Sequence, residues 1–174
     1  MAQEEDRLQA IADELERVEE SAKFAAQSQF EETKRWRGVN LWLGIPASTL
    51  AAAAGASVLA TQEGRLLAGF AALAGAAFGA ILTTVNATQR MNQAAASANA
   101  YLEIQNAARQ ARLIDLPGQD YDTARATLAE ITARRDEQNR SADVPGHRAF
   151  TRGKKNIARG GQTFEVDTRR DNNA

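Results

Sequence analysis

A chain of 174 residues has the length of one domain and predicts a single cooperative unit with tails. It carries 21 Lys and Arg against 22 Asp and Glu, one His and no Cys, which excludes disulfides, thiolate metal sites and His-rich metal centres and is consistent with a reducing cytosolic face. Its mean hydropathy of -0.44 averages over two charged flanks and an almost uncharged middle, and that asymmetry is the main signal.

Residues 3–37 read as one long cytosolic amphipathic helix. Leu8, Ile11, Leu15, Val18, Ala22 and Ala25 recur at alternating steps of three and four, an a/d heptad seam. Glu4, Glu5, Glu14, Glu16, Glu19 and Glu20 decorate the other faces, with Arg7, Arg17 and Lys23 among them. The seam (Leu8, Ile11, Leu15 and Val18 above all) either docks on later helices or pairs with copies of itself.

From Gly38 to Gln62 no residue is charged, and none from Leu66 to Gln89. A bilayer core takes about 20 apolar residues as a helix. Residues 41–60 and 66–85 both meet that length, and the short Thr61–Arg65 turn between them would make the two helices antiparallel neighbours. The fold class expected is therefore an all-α membrane protein. It has a two-helix transmembrane hairpin over 38–89, a long N-terminal helix, cytosolic helices over 90–140 and a basic tail over 141–174. The first stretch follows almost forty polar residues and is no secretory signal peptide. The competing possibility, an Ala-rich hairpin inside a soluble bundle, would require a polar face that neither stretch shows.

Lys34, Arg35 and Arg37 precede the first span and Arg90 follows the second, whereas the turn has only Arg65 beside Glu63. Positive charge marks the cytoplasmic side, which places both termini in the cytoplasm of a bacterial inner membrane. Trp36 and Trp42 flank the first entry and either anchor in the headgroup region or pack on neighbouring helices.

Small residues let helices approach closely in lipid. Ala71, Gly75 and Gly79 form such a ridge on the second span, and Ala47, Ala51 and Gly55 form one on the first. These ridges pack the hairpin on itself or against other subunits of a homo-oligomer. Pro46, after Gly44 and Ile45, removes a backbone donor and kinks the helix at the membrane entry. Ser48, Thr49, Ser57, Thr83 and Thr84 are the polar groups within the spans. They line a multimeric pore or bond back to their own helix. No ionisable group lies inside either span, which argues against proton coupling and voltage sensing.

Beyond Arg90 a helix continues without breakers to Leu113, running directly on from the second span. Met91, Ala94, Ala95, Ala98, Tyr101, Leu102, Ile104, Ala108 and Leu113 supply its apolar positions. Pro117 and Gly118 end it. Asp120 or Asp122 caps a further helix to about Asn139, with Tyr121, Ala124, Leu128 and Ile131 on one face. Pro145 and Gly146 break the chain again and leave His147 in a loop. Arg148, Arg152, Lys154, Lys155 and Arg159 then read as a solvated basic tail, or as a contact for anionic headgroups or phosphate. Gly160 and Gly161 form a turn, Thr163–Val166 is strand-prone, and the residues from Arg169 read as disordered. No phosphate loop, metal-ligand spacing or nucleophile arrangement appears, so neither catalysis nor a cofactor is expected.

The layout resembles the SLATT family, the SMODS and SLOG-associating two-transmembrane effectors of bacterial conflict systems. The resemblance rests on Arg35-Trp36, the membrane-entry run from Trp42 through Gly44 and Pro46 to Ala47, the short turn, and Asn86 with Arg90. It continues through Ala100-Tyr101, Val144-Pro145, Lys154 to Ile157, and Gly161, Phe164, Val166 and Asp167. It covers residues 20–168. Between Asn92 and Asn99, where many members place a His, this chain has none. The resemblance implies an oligomeric membrane effector of an antiviral or conflict system that opens or disrupts the membrane when a nucleotide-signalling or sensor partner activates it. No nucleic-acid partner is expected. The alternative is a membrane-anchored scaffold that displays a cytosolic helical platform, with partners bound on faces such as those of Leu15 and Leu128.

Overall fold

The computed structural model describes residues 2–57 and 64–161. Among them the chain is helical and contains no strand. The helices are α1 (Ala2–Ser57), α2 (Gly64–Val85), α3 (Ala87–Gln110), α4 (Tyr121–Ser141) and α5 (His147–Ala158). The described residues divide between two compact units. One lies within Met1–Glu32 and Gln93–Ala174, and the other is Thr33–Asn92. The division follows charge, because the second unit contains both uncharged stretches.

In the first unit the heptad seam finds its partner inside the chain. Ile11, Leu15, Val18 and Ala22 on α1 pack with Tyr101, Ile104 and Ala108 on α3 and with Ala124, Leu128 and Ile131 on α4, and Leu8 and Tyr121 pack at the margin. Leu15 and Val18 are 1% and 0% exposed. In this structure the seam docks on later helices of the same chain, and Leu15 and Leu128 lie in that core. After Ala22 the next fully buried position is Ala26, not Ala25. A straight helix has 3.6 residues per turn and drifts off a strict heptad, so the buried stripe moves over by one residue.

Polar contacts tie the same elements together. Arg112 bonds Glu19 at 3.0 Å with both side chains mostly buried. The Arg7 guanidinium lies 3.8 Å from the centre of the Tyr121 ring, and the Tyr101 hydroxyl donates to Asn139 Oδ1 at 2.8 Å. Pro117 has no N–H to extend the α3 ladder. There the chain loosens into a π-helical turn, Ala111–Asp115, and a 3₁₀ turn, Leu116–Gly118. Leu113, expected on the apolar face, falls within the π-helical turn and is 46% exposed. Asp120 caps α4 by accepting from the Thr123 N–H at 2.9 Å and from its hydroxyl at 3.1 Å.

The region expected as a basic tail begins as a helix. α5 starts at His147, which is therefore helical and not in a loop, and it buries Ala149 and Gly153. A Cβ on Gly153 would stand 3.0 Å from the Ser28 N and Oγ and 3.1 Å from its Cα, so the absent side chain is what lets α5 lie directly on α1. Gln29 of α1 reaches the chain before α5, donating to the Asp143 carbonyl at 2.7 Å. Gly160, at φ 82, ends the helix in the left-handed conformation, and the Gly161 N–H returns to the Asn156 carbonyl at 3.0 Å. The strand-prone run Thr163–Val166 and the residues from Arg169 lie outside the described residues.

In the second unit α1 continues through Pro46 without interruption to Ser57. Residues 58–60 of the first expected span and 61–63 of the expected turn lie outside the described residues, and α2 has already begun at Gly64. Contacts between α1 and α2 pair rising numbers with falling ones. A Cβ on Gly44 would meet Leu82 at 3.8 Å, and one on Gly75 would meet the Ala47 O and the Leu50 Cβ at 3.3 Å. The Thr88 hydroxyl reaches Asn40 Oδ1 at 3.3 Å.

The expected direct run from the second span into the following helix is broken at one residue. Asn86 has φ 51, and among the described residues it alone of the non-glycines is positive. Asn tolerates this region because its short amide can bond locally, here to Gln89. The Asn86 N–H still reaches the Leu82 carbonyl at 3.1 Å and the Arg90 N–H reaches the Asn86 carbonyl at 3.1 Å, so the ladder continues across the break.

Candidate functional site

An α-helix satisfies its own backbone, so what it can touch is decided by its side chains. Most of the large apolar side chains of the uncharged stretches in Thr33–Asn92 face outward. On α1 Leu41, Trp42 and Ile45 are 48%, 81% and 61% exposed, and on α2 Leu66, Phe70 and Leu73 are 74%, 70% and 70% exposed. Both helices are long and apolar enough to cross a membrane, and only 6% and 11% of their most apolar stretches are buried. The 22 residues of α2 rise about 33 Å, against a hydrocarbon core of about 30 Å. Water does not favour so large a continuous apolar surface.

The sequence-predicted packing residues separate into two groups. Gly75 is buried, and the Ala51 N lies 3.4 Å from where its Cβ would be. Gly79 and Gly55 have nothing within 4 Å of a Cβ. Ala51 has an exposed side chain, and Ala71 is half-buried. Thus one position of the α2 ridge meets α1, while Gly79 and Gly55 keep open faces. Besides Gly75, Ala54 and Ala68, not singled out from the sequence, are buried small residues of α1 and α2 in this unit. Their signal was present in the alternation of Ala positions, but nearly every face of both helices offers Ala.

Four of the five span hydroxyls bond back to their own helices, and the Ser57 side chain lies outside what the structure describes. Thr83 donates to the Gly79 carbonyl at 2.9 Å and Thr84 to the Ala80 carbonyl at 2.8 Å. Ser48 shares its proton with the carbonyls of Gly44 and Ile45 at 3.0 Å, and Thr49 donates to Ile45. These bonds remove the donors and leave each oxygen able to accept.

At the entry motif Leu41, Trp42, Ile45 and Pro46 line an open apolar notch of about 270 Å³. Pro46 contributes by omission, because without its N–H the Trp42 carbonyl loses its usual partner. Trp36 has two cations near its ring. The guanidiniums of Arg35 and Arg90 are 5.3 and 5.1 Å from its ring. A ring near guanidiniums at the border of an apolar surface has the amphipathic character of a bilayer interface. The pairing of Arg90 with Trp36 joins two residues that the sequence reading named separately.

Comparison of the chain with protein-family models, with curated proteins and with solved structures finds no match in any of the three.

Proposed function

We propose that the chain is a membrane effector of the SLATT type, in which α1 and α2 form a transmembrane hairpin with both termini in the bacterial cytoplasm. The observation that carries the membrane reading is the outward apolar surface of the two helices, which are almost entirely unburied over their most apolar stretches. The Trp36 ring near Arg35 and Arg90 supports a cytoplasmic interface at that end, because cations near a span favour the cytoplasmic side. Two spans cannot enclose a pore alone. The open faces at Gly55 and Gly79 are suited to contacts between copies, where small residues permit close approach. In this reading copies assemble through those faces, and a nucleotide-signalling or sensor partner switches the assembly to a state that leaks ions and arrests growth.

The test is the mass of the detergent-purified protein, followed by dye release from liposomes alone and with the candidate partner. A closed oligomer that releases dye supports the effector. A monomer or dimer that leaves liposomes sealed under every condition rejects it.

A second reading, a membrane-anchored scaffold, is favoured by the span hydroxyls, whose donors are already taken by helix carbonyls. Replacing both Thr83 and Thr84 by Val distinguishes the two. Leakage or toxicity changes if those oxygens line a pore and stays constant in a scaffold.

A further inference from the structure

We propose that the outward face of α5 docks on the anionic lipid headgroups of the bilayer. Arg148, Arg152, Lys154, Lys155 and Arg159 are all exposed, and no acidic residue occurs from Val144 to Gly161. None of the five takes part in an ion pair among the described residues. At 3.6 residues per turn, Arg148, Arg152, Lys155 and Arg159 fall within a sector of about 60°, so four charges form a row along the helix. Lys154 flanks the opposite edge of the exposed face, and Thr151 and Ala158 lie between.

The row is held on a fixed support. Gly153 and Ala149 are buried, and the contact of Gly153 with Ser28 leaves α5 little room to roll. The arrangement presents a row of cations to one side without a pocket, which matches an extended anionic surface better than a single phosphate. Phe150, the one Phe, Tyr or Trp of α5, lines a groove with Phe24, Pro145 and Lys154, away from the row of four cations, and so gives no stacking platform along that row, as a single-stranded nucleic acid would use.

Charge complementarity selects an anionic leaflet, where each Lys or Arg near the surface strengthens attachment about fivefold. This inference rests on the membrane reading of α1 and α2, because anchorage of the same chain in a bilayer raises the local concentration of lipid around α5.

The absence of Cys permits a single reporter. The full chain carrying Thr151→Cys, labelled with a polarity-sensitive dye, is reconstituted in nanodiscs of phosphatidylcholine alone or with about 30 mol % phosphatidylglycerol. The expected result is a blue-shifted, quencher-protected dye only in the anionic discs. The shift is reversed by about 0.5 M salt and lost when Arg148, Arg152, Lys155 and Arg159 are all changed to Gln. Circular dichroism of that variant establishes that the helices remain. Equal emission in both discs, or a shift that survives the four substitutions, overturns the proposal. So does a shift produced by an added oligonucleotide and not by anionic lipid. If the chain remains monodisperse without detergent, the membrane reading of α1 and α2 fails separately. The labelled protein titrated with phosphatidylglycerol vesicles then still decides the question for α5, binding supporting it and no binding overturning it.

Discussion

Gly153 has no room for a side chain, since the backbone of Ser28 occupies the place where one would begin. Gly153→Val should therefore destabilise the first unit by about 1–3 kcal/mol, the cost of overpacking a close contact, seen as a lower thermal midpoint. Tyr101 responds to pH. Burial pushes its phenol above the ordinary value of 10.0 by disfavouring the charged form. A folded pKa above the unfolded one gives stability that is full below 10.0 and is lost as pH rises through the folded value. Tyr101→Phe should remove that alkaline loss in thermal melts recorded across this range. Asp120 behaves in the opposite sense. The N–H and hydroxyl of Thr123 hold its carboxyl below the usual 3.8. Its contribution is full above 3.8 and disappears as pH falls through the lower folded value. Asp120→Asn, still able to cap, should flatten that acid limb.

At the scale of elements, the α1–α3–α4 core contains several Ala positions, so its few large side chains carry much of the burial. Leu15→Ala should cost about 3 kcal/mol and lower the denaturant midpoint. The α1–α2 contact depends instead on a missing side chain. Gly75→Leu should drive the helices apart, whereas Gly79→Leu, facing open space, should leave them together. With Cys introduced at Gly44 and Leu82 of the Cys-free chain, crosslinking yield should fall in the first variant and hold in the second. Period-3.6 patterning made α4 and the α1 seam legible from residues alone, and Pro117 marked the end of α3. α5 was harder to see. Its buried positions are Ala149 and Gly153, too small to stand out in a run dominated by Arg and Lys, and Gly is a poor helix former by propensity. Only the packing against Ser28 explains why a glycine belongs there.

For the whole molecule, the separation of charge along the chain dominates. A chain anchored by α1 and α2 should stay in the membrane fraction after an alkaline carbonate wash and require detergent for extraction. Recovery in the soluble fraction would reject the membrane reading. The residue order by itself determined two apolar stretches of spanning length, the cations beside them and the helical periods, because each depends on neighbours within one or two turns. Tertiary structure decided the rest. It turned the heptad seam inward onto α3 and α4, selected Gly75 over Gly79 for contact with α1, brought Arg90 to the Trp36 ring, and made a helix of the basic segment. These outcomes depend on which surfaces far apart in the chain fit together. Local patterns of apolar and small residues permit several such fits, and close packing selects among them.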